Sequence, residues 1–153
     1  MMASQNDNQT GWYEGIPPQQ GGVRAYEGAY KDGKEHGKWT WWHKNGKKKS
    51  EGTYKEGDEH GKWTYWYVNG QKKSEGTYKD GLEVGKWTYW YENGQKESEG
   101  TLKGKKTQRA KGIVEYFGIC DGKWTWWDVK GQVTREAIYE DGELIEEKIY
   151  SPE

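Results

Sequence analysis

Polarity alternates with a period of two through Lys38-Trp39-Thr40-Trp41-Trp42-His43-Lys44. Aromatic and β-branched residues dominate this run, and successive side chains of a strand point to opposite faces. Asn45-Gly46 follows directly. Asn-Gly between two such runs predicts a two-residue type I′ hairpin turn, which needs positive φ at both positions. The return strand is read as Lys47 to Lys55, and a looser turn from Glu56 to Gly61 leads to the next Lys-Trp-Thr. Gly and Thr interrupt every window that could be helical. The predicted unit is therefore an antiparallel hairpin.

A two-residue turn fixes the register. Lys44 is expected opposite Lys47, Trp42 opposite Lys49, Trp41 opposite Ser50 and Trp39 opposite Gly52. One face then carries Trp39, Trp41, His43, Ser50, Gly52 and Tyr54, and the other carries Thr40, Trp42, Lys44, Lys49, Glu51 and Thr53. The first face holds most of the rings and is the expected core, with the ring of Trp39 covering the bare backbone of Gly52. The second is charged apart from one Trp per unit, a ring expected to lie against Lys49 or Lys73 through cation–π contact.

The unit repeats. Glu-Gly-x-Tyr-Lys-x-Gly-x-x-x-Gly-Lys-Trp-Thr-x-Trp begins at Glu27, Glu51 and Glu75, a period of 24 residues. A fixed period of this length marks a repeat architecture in which each unit contacts mainly its neighbours. The expected fold is all-β: tandem hairpins forming an elongated, twisted, single antiparallel meander sheet.

Two breaks refine the organisation. The Gly of Gly-Lys-Trp falls at 37, 61 and 85 and then at 122, leaving 13 extra residues. Thr101 to Lys111 is read as an inserted hairpin turning near Gly104-Lys105, within a 101–113 insertion. Before Glu27 the pattern decays, with Gly21-Gly22 as a turn and Pro17-Pro18 where Trp41-Trp42 would sit. Pro cannot donate to a ladder, so this marks an edge or cap. Residues 1–26 are thus a polar tail with a capping half-repeat, 27–150 the repeat domain and 151–153 a tail. A last hairpin turns at Asp141-Gly142, and the charges on Glu143 to Tyr150 are expected to discourage edge-to-edge addition.

Composition sharpens this picture. Aliphatic residues are scarce, but there are 11 Trp and 12 Tyr, so the core must be aromatic. That aromatic content excludes a disordered body. The net charge of −1 argues against nucleic acid as partner. Charge is nonetheless uneven: Lys103, Lys105, Lys106, Arg109 and Lys111 form a basic run, while acids outnumber bases nine to four from Asp121 to Glu153. Cys120 is alone, which fits a reducing, cytoplasmic setting. Met1 to Thr10 does not read as a signal peptide, and no apolar run is long enough for a transmembrane segment.

Catalytic chemistry is not visible. His36 and His60 occupy equivalent positions, read as turns, and give way to Val84 in the third unit; two His without a Cys partner make a poor zinc site. Asp32, Asp58 and Asp80 lack the spacing of a calcium loop. Cys120 has no activating His near it in sequence, and the glycines lack the strand-to-helix context of a phosphate loop. No enzyme, cofactor or metal is expected.

Glu-Gly-x-Tyr-Lys-x-Gly-x-x-x-Gly-Lys-Trp-x-x-Trp/Tyr-x-x-Asn-Gly resembles the MORN (membrane occupation and recognition nexus) repeat, and is similar to the bacterial YwqK-type variant often labelled antitoxin. The match runs from Glu27 to about Leu102 and resumes from Gly122 to Tyr139. The resemblance implies a row of hairpins in one curved sheet, with scaffold, dimerisation or phospholipid-associated roles. It implies no catalytic residues. The antitoxin label implies a protein partner that is bound and neutralised.

Two surfaces are candidates for binding. Trp42, Trp66, Trp90 and Trp127 form a ladder on the charged face, with rings roughly 10 Å apart if each unit contributes two strands. Trp and Tyr commonly anchor protein interfaces, so a toxin, a scaffold subunit or a second copy of the chain is the expected partner. The same spacing suits a β-linked glycan. The basic run Lys103, Lys105, Lys106, Arg109 and Lys111 offers an anionic lipid surface as a further alternative.

Overall fold

The computed structural model of the chain describes residues 6–13, 21–108 and 114–151. Among the described residues eleven strands form one antiparallel meander, each paired with its sequence neighbours: β1 (Asn6–Trp12), β2 (Arg24–Lys31), β3 (Lys34–Trp42), β4 (Lys48–Lys55), β5 (Asp58–Trp66), β6 (Lys72–Lys79), β7 (Leu82–Trp90), β8 (Lys96–Gln108), β9 (Val114–Trp127), β10 (Val133–Glu140) and β11 (Glu143–Ile149). The sheet is open, and no second layer covers it among the described residues.

The two kinds of turn are the reverse of the expectation. The type I′ turns are at the supposedly loose connections and at Asp141-Gly142, where the last hairpin was expected to turn. Both central residues have positive φ at Asp32-Gly33 (52° and 78°), Glu56-Gly57 (56° and 92°), Asp80-Gly81 (52° and 75°) and Asp141-Gly142 (50° and 91°). At Asn45-Gly46 only the glycine is left-handed, with φ 81°. Gly46 N–H bonds to His43 O at 2.9 Å and His43 N–H to Lys47 O at 2.8 Å. This is a three-residue loop, a type I turn closed by a left-handed glycine.

Asn is used there for its side chain. Asn45 Oδ1 accepts from Lys47 N–H within its own turn, and its Nδ2 donates to Val68 O in the next unit. Asn69 and Asn93 repeat both bonds, reaching Glu92 O and Val129 O. Each turn is thereby tied to the following one. Lys130 stands at the fourth position, and among the described residues no fifth turn of this kind follows it.

The three-residue loop pairs Trp42 with Lys48 instead of Lys49. Lys49 is then an extra, bulged residue, and from Trp41 opposite Ser50 onward the expected register returns, with Trp39 opposite Gly52 and Gly37 opposite Tyr54. Two departures cancel, so the predicted faces survive.

The aromatic face is sealed by its own rings. Trp39, Trp63, Trp87 and Trp124 are buried, as are Leu102 and Ala137. Near-parallel stacks run across the strands: Trp39 on Trp41, Trp41 on Trp63 and Trp63 on Tyr65, with centroids 5.4–5.9 Å apart. Tyr30, Tyr54 and Tyr78 meet Trp39, Trp63 and Trp87 edge-on at 5.1–5.2 Å. The ring over Gly52 belongs to Trp63 of the following unit, not to its cross-strand partner Trp39. Trp39, Trp87 and Trp124 cover Gly28, Gly76 and Gly100 in the same way. Trp39, Trp63 and Trp124 also donate their indole N–H to Ala29, Thr53 and Thr101 carbonyls.

The 13 extra residues do not make a separate hairpin. They lengthen β8 and β9, which stay paired from Thr101 opposite Asp121 to Gln108 opposite Val114. The chain therefore runs straight through Gly104-Lys105, where the inserted hairpin was expected to turn; residues 109–113 lie outside the described residues. Gly104 lies against Leu82 and Val84, and Gly118 against Glu83 and Leu102. The lengthened hairpin thus packs back onto β7, which explains why Val84 replaces the His of earlier units. The polar tail differs too: Asn6 to Trp12 is the edge strand β1, paired with β2. Pro17-Pro18 lies outside the described residues.

Candidate binding face

Opposite the aromatic core, each unit builds the same polar cluster. Strand pairing sets Thr40 opposite Glu51, and two lysines converge on that carboxylate. Glu51 accepts from Thr40 Oγ1 at 3.3 Å and is bridged by Lys48 at 2.7 Å and Lys38 at 3.1 Å. Glu75 gathers Thr64, Lys72 and Lys62, and Glu99 gathers Thr88, Lys96 and Lys86. The threonines are buried although this face is open to solvent.

These contacts keep the carboxylates ionised further into acid than a free side chain. Hydrogen bonding from Lys48 holds the Glu51 carboxyl below its usual range. Burial pushes Glu75 and Glu99 upward, but their lysines outweigh it, and Glu99 falls to about 2. All three are carboxylates at neutral pH.

The ladder tryptophans lie beside these clusters, half-buried. Their cation–π partners are not Lys49 and Lys73. Lys48 Nζ lies over Trp66 at 5.6 Å, Lys72 over Trp90 at 5.5 Å and Lys96 over Trp127 at 5.5 Å. Arg24 covers Trp42 at 5.2 Å, and Lys73 sits on Tyr67 instead. The bulge explains the change, because it puts Lys48 rather than Lys49 across from Trp42. Each of these lysines joins a carboxylate of its own unit to the ring of the next.

Backbone bonds fix the ladder further. Tyr13, Tyr67 and Tyr91 hydroxyls donate to the carbonyls of Trp42, Trp90 and Trp127 at 2.6–2.9 Å, and His43 Nε2 lies 3.0 Å from Trp66 O. Sequence pattern alone did not find these clasps; their signal is the ring residue directly after Trp42, Trp66 and Trp90, at His43, Tyr67 and Tyr91. Between successive clusters the face is a shallow trough. Its first hollow, of ≈ 540 Å³, is lined by Gly28, Lys38, Thr40, Trp42, Lys48 and Glu51. A second of ≈ 440 Å³ is lined by Glu75, Gly76, Trp90 and Lys96.

The basic run does not gather on one surface. Alternation along β8 puts Lys103 and Lys105 on one face and Lys106 on the other. Lys103 is ion-paired with Asp141. Arg109 and Lys111 lie outside the described residues.

Remaining titratable groups are dispersed. His36 and His60 lie within β3 and β5 rather than in turns. Among the described residues no three His, Cys, Asp or Glu side chains converge as a metal site. Cys120 packs against the Trp87, Leu102 and Trp124 cluster, and burial pushes its thiol up. Glu83 is also pushed up by burial, while accepting from Tyr78 and from the Gly118 backbone. No helix in the described residues is long and apolar enough to cross a membrane.

A family model described as the MORN repeat variant matches residues 35–56, 59–80 and 83–103. These stretches coincide with the hairpins β3–β4 and β5–β6 and with β7 and the first half of β8. None of the curated proteins matches the chain.

Proposed function

Three tandem MORN repeats make up the centre of this chain, and from that premise we propose that it is a non-enzymatic interaction module whose trough face binds another protein. MORN repeats are associated in general with protein or membrane-lipid interaction. The observation that carries the choice of a protein is the tandem Glu-Lys-Lys-Trp cluster, which offers paired charges of both signs beside half-buried rings. Rings and ionic groups in alternation suit a folded protein surface of mixed charge, with the tryptophans as anchors.

Glycan stacking has less support, since Lys48, Lys72 and Lys96 already lie over the ring faces a sugar would need. An anionic leaflet also has less support, because Lys103 and Lys105 face away from Lys106. A toxin bound by an antitoxin or immunity-type module, or a scaffold subunit, is the partner class suggested by resemblance, in a cytoplasmic setting. The test replaces Trp66 and Trp90 by Ala and measures capture of host proteins by crosslinking and mass spectrometry. Partners recovered with the parent chain and lost with the variant support the reading; an identical set from both removes it.

A further inference from the structure

The net charge of −1 conceals a division between the two faces of the sheet. Glu35, Glu59 and Glu83 stand directly opposite Tyr30, Tyr54 and Tyr78. Those tyrosines meet the buried tryptophans edge-on, so the three carboxylates belong to the aromatic face. On the trough side the balance is basic. Each cluster sets two lysines against one glutamate: Lys38 and Lys48 on Glu51, Lys62 and Lys72 on Glu75, Lys86 and Lys96 on Glu99. Lys31, Lys55 and Lys79 add to that side, since they alternate with Ala29, Thr53 and Thr77, which line the trough. Their cross-strand partners are Lys34, Asp58 and Leu82, so only Lys55 faces an acid.

We infer that the trough takes an acidic protein segment, extended across the strands, with a carboxylate at about every third residue. The inference rests on the trough being the binding face and fixes the charge of what it binds. The glutamates of the clusters are already committed: Glu75 and Glu99 each use both oxygens on lysines. The lysines are not. The side chains of Lys38, Lys62 and Lys86 are 68%, 67% and 66% exposed. An ammonium also has more donors than one carboxylate contact uses. What this row lacks is acceptors.

Spacing selects the form of the acid. Lys62 and Lys86 are two strands apart, roughly 10 Å. An extended chain advances about 3.3 Å per residue, so carboxylates about three residues apart fall on successive lysines. Trp90 lines the same hollow as Lys62 and Lys86 and offers its ring to the residues between. A continuous polyanion fits less well. Duplex DNA carries one charge per roughly 1.7 Å of its axis, and its phosphates would meet Glu75 and Glu99 as well as the lysines. A leaflet of anionic headgroups meets the same two carboxylates.

The experiment is fluorescence anisotropy of labelled synthetic peptides on the full chain, at about 0.15 M salt to screen distant charges. One peptide repeats Glu-Ser-Leu, and a second of the same composition carries its glutamates in one block. The spaced peptide is expected to bind about tenfold more tightly than the block peptide. Lys62→Gln combined with Lys86→Gln should weaken it about tenfold. Glu35→Gln combined with Glu59→Gln, on the other face, should leave it unchanged, which separates a local site from overall charge. Near-ultraviolet circular dichroism confirms the aromatic stack in each variant. A spaced peptide that does not bind, a block peptide that binds equally or a lysine variant that binds as the parent does would each overturn the inference. So would tighter binding of phosphatidylserine vesicles or of single-stranded oligothymidylate. The trough reading is judged separately by host-protein capture with Trp66→Ala and Trp90→Ala: it survives a failed peptide and falls only if that capture is unchanged.

Discussion

Trp63 lies flat across Gly52, so that a Cβ on that glycine would sit 2.1 Å from the indole Cδ2. The contact links two successive repeats and recurs at Gly28, Gly76 and Gly100. The equivalent position in the unit of β9 and β10 is Ala137, beside which the next strand, β11, brings no tryptophan. Glycine is therefore kept where a ring must approach the backbone and dropped where none does.

Gly52→Ala or Gly76→Ala should accordingly destabilise the protein by about 1–3 kcal/mol, the usual cost of overpacking a filled site. Ala137→Gly should cost less, about 0.5–1 kcal/mol, from lost backbone restriction alone. Urea unfolding followed by tryptophan fluorescence measures both. Equal losses at Gly76 and Ala137 would mean that the ring contact is not what selects glycine.

Asn69 makes two bonds that one substitution can separate. Asn69→Asp keeps the acceptor for Gln71 N–H but replaces the donor to Glu92 O by a carboxylate oxygen facing a carbonyl. The expected loss is about 1–2 kcal/mol, one hydrogen bond plus an unfavourable contact. Lys130→Asn at the fourth turn should change little, since among the described residues no further turn receives the bond. Thermal melts of the two variants beside the parent chain decide this.

Much of the fold was legible because alternation and period constrain it together. The period of 24 and the strict polarity of Lys38 to Lys44 fixed two strands per unit and the identity of the core face. The turn types were not legible. Asn-Gly satisfies a type I′ turn and also a type I turn closed by a left-handed glycine, and the choice depends on Asn45 reaching Val68 in the next unit. That bond is invisible to a reading of one hairpin. For the same reason the lysine on each ladder ring was misassigned by one residue, since the bulge at Lys49 follows from the longer loop. Gly104 looked like a turn residue, yet it and Gly118 lie where side chains from β7 and Leu102 press on the backbone. The clasping rings at Tyr67 and Tyr91 had a visible period, but their acceptors are backbone carbonyls, which carry no sequence signal.

Acid should act on the two faces with opposite sign. Glu51, Glu75 and Glu99 have depressed folded values, so the stability they contribute is complete above about 4.5 and is lost as pH falls through the folded value, about 2 for Glu99. Glu83 is raised by burial. Its contribution is complete below about 4.5 and is lost as pH rises through its folded value. Stability measured by urea should therefore improve slightly as pH falls through the folded value of Glu83 and decline below 4.5. Glu83→Gln, which keeps an acceptor for Tyr78 and Gly118, should abolish the first change and leave the second. Replacing Glu51, Glu75 and Glu99 together by Gln should flatten the acid limb. An acid limb unchanged in the triple variant would show that the lysine clusters contribute nothing to pH dependence.

Trp63 and Trp66 are three residues apart on one strand and should respond very differently to removal. Trp63 is 2% exposed, stacked on Trp41 and Tyr65, and lies over Gly52, so Trp63→Ala opens the core between two repeats. The expected loss is about 3–5 kcal/mol. Trp66 is half-buried on the opposite face, where its main contact is the head of Lys48. Trp66→Ala forfeits part of a burial term and one cation–π contact, about 1–2 kcal/mol together. Chemical denaturation of both variants gives the order directly. Because Trp66 contributes little to the fold, it is free to serve the trough, and Trp66→Ala should weaken partner capture in a protein that remains folded. A larger stability loss at Trp66 than at Trp63 would place the core on the other side of the sheet.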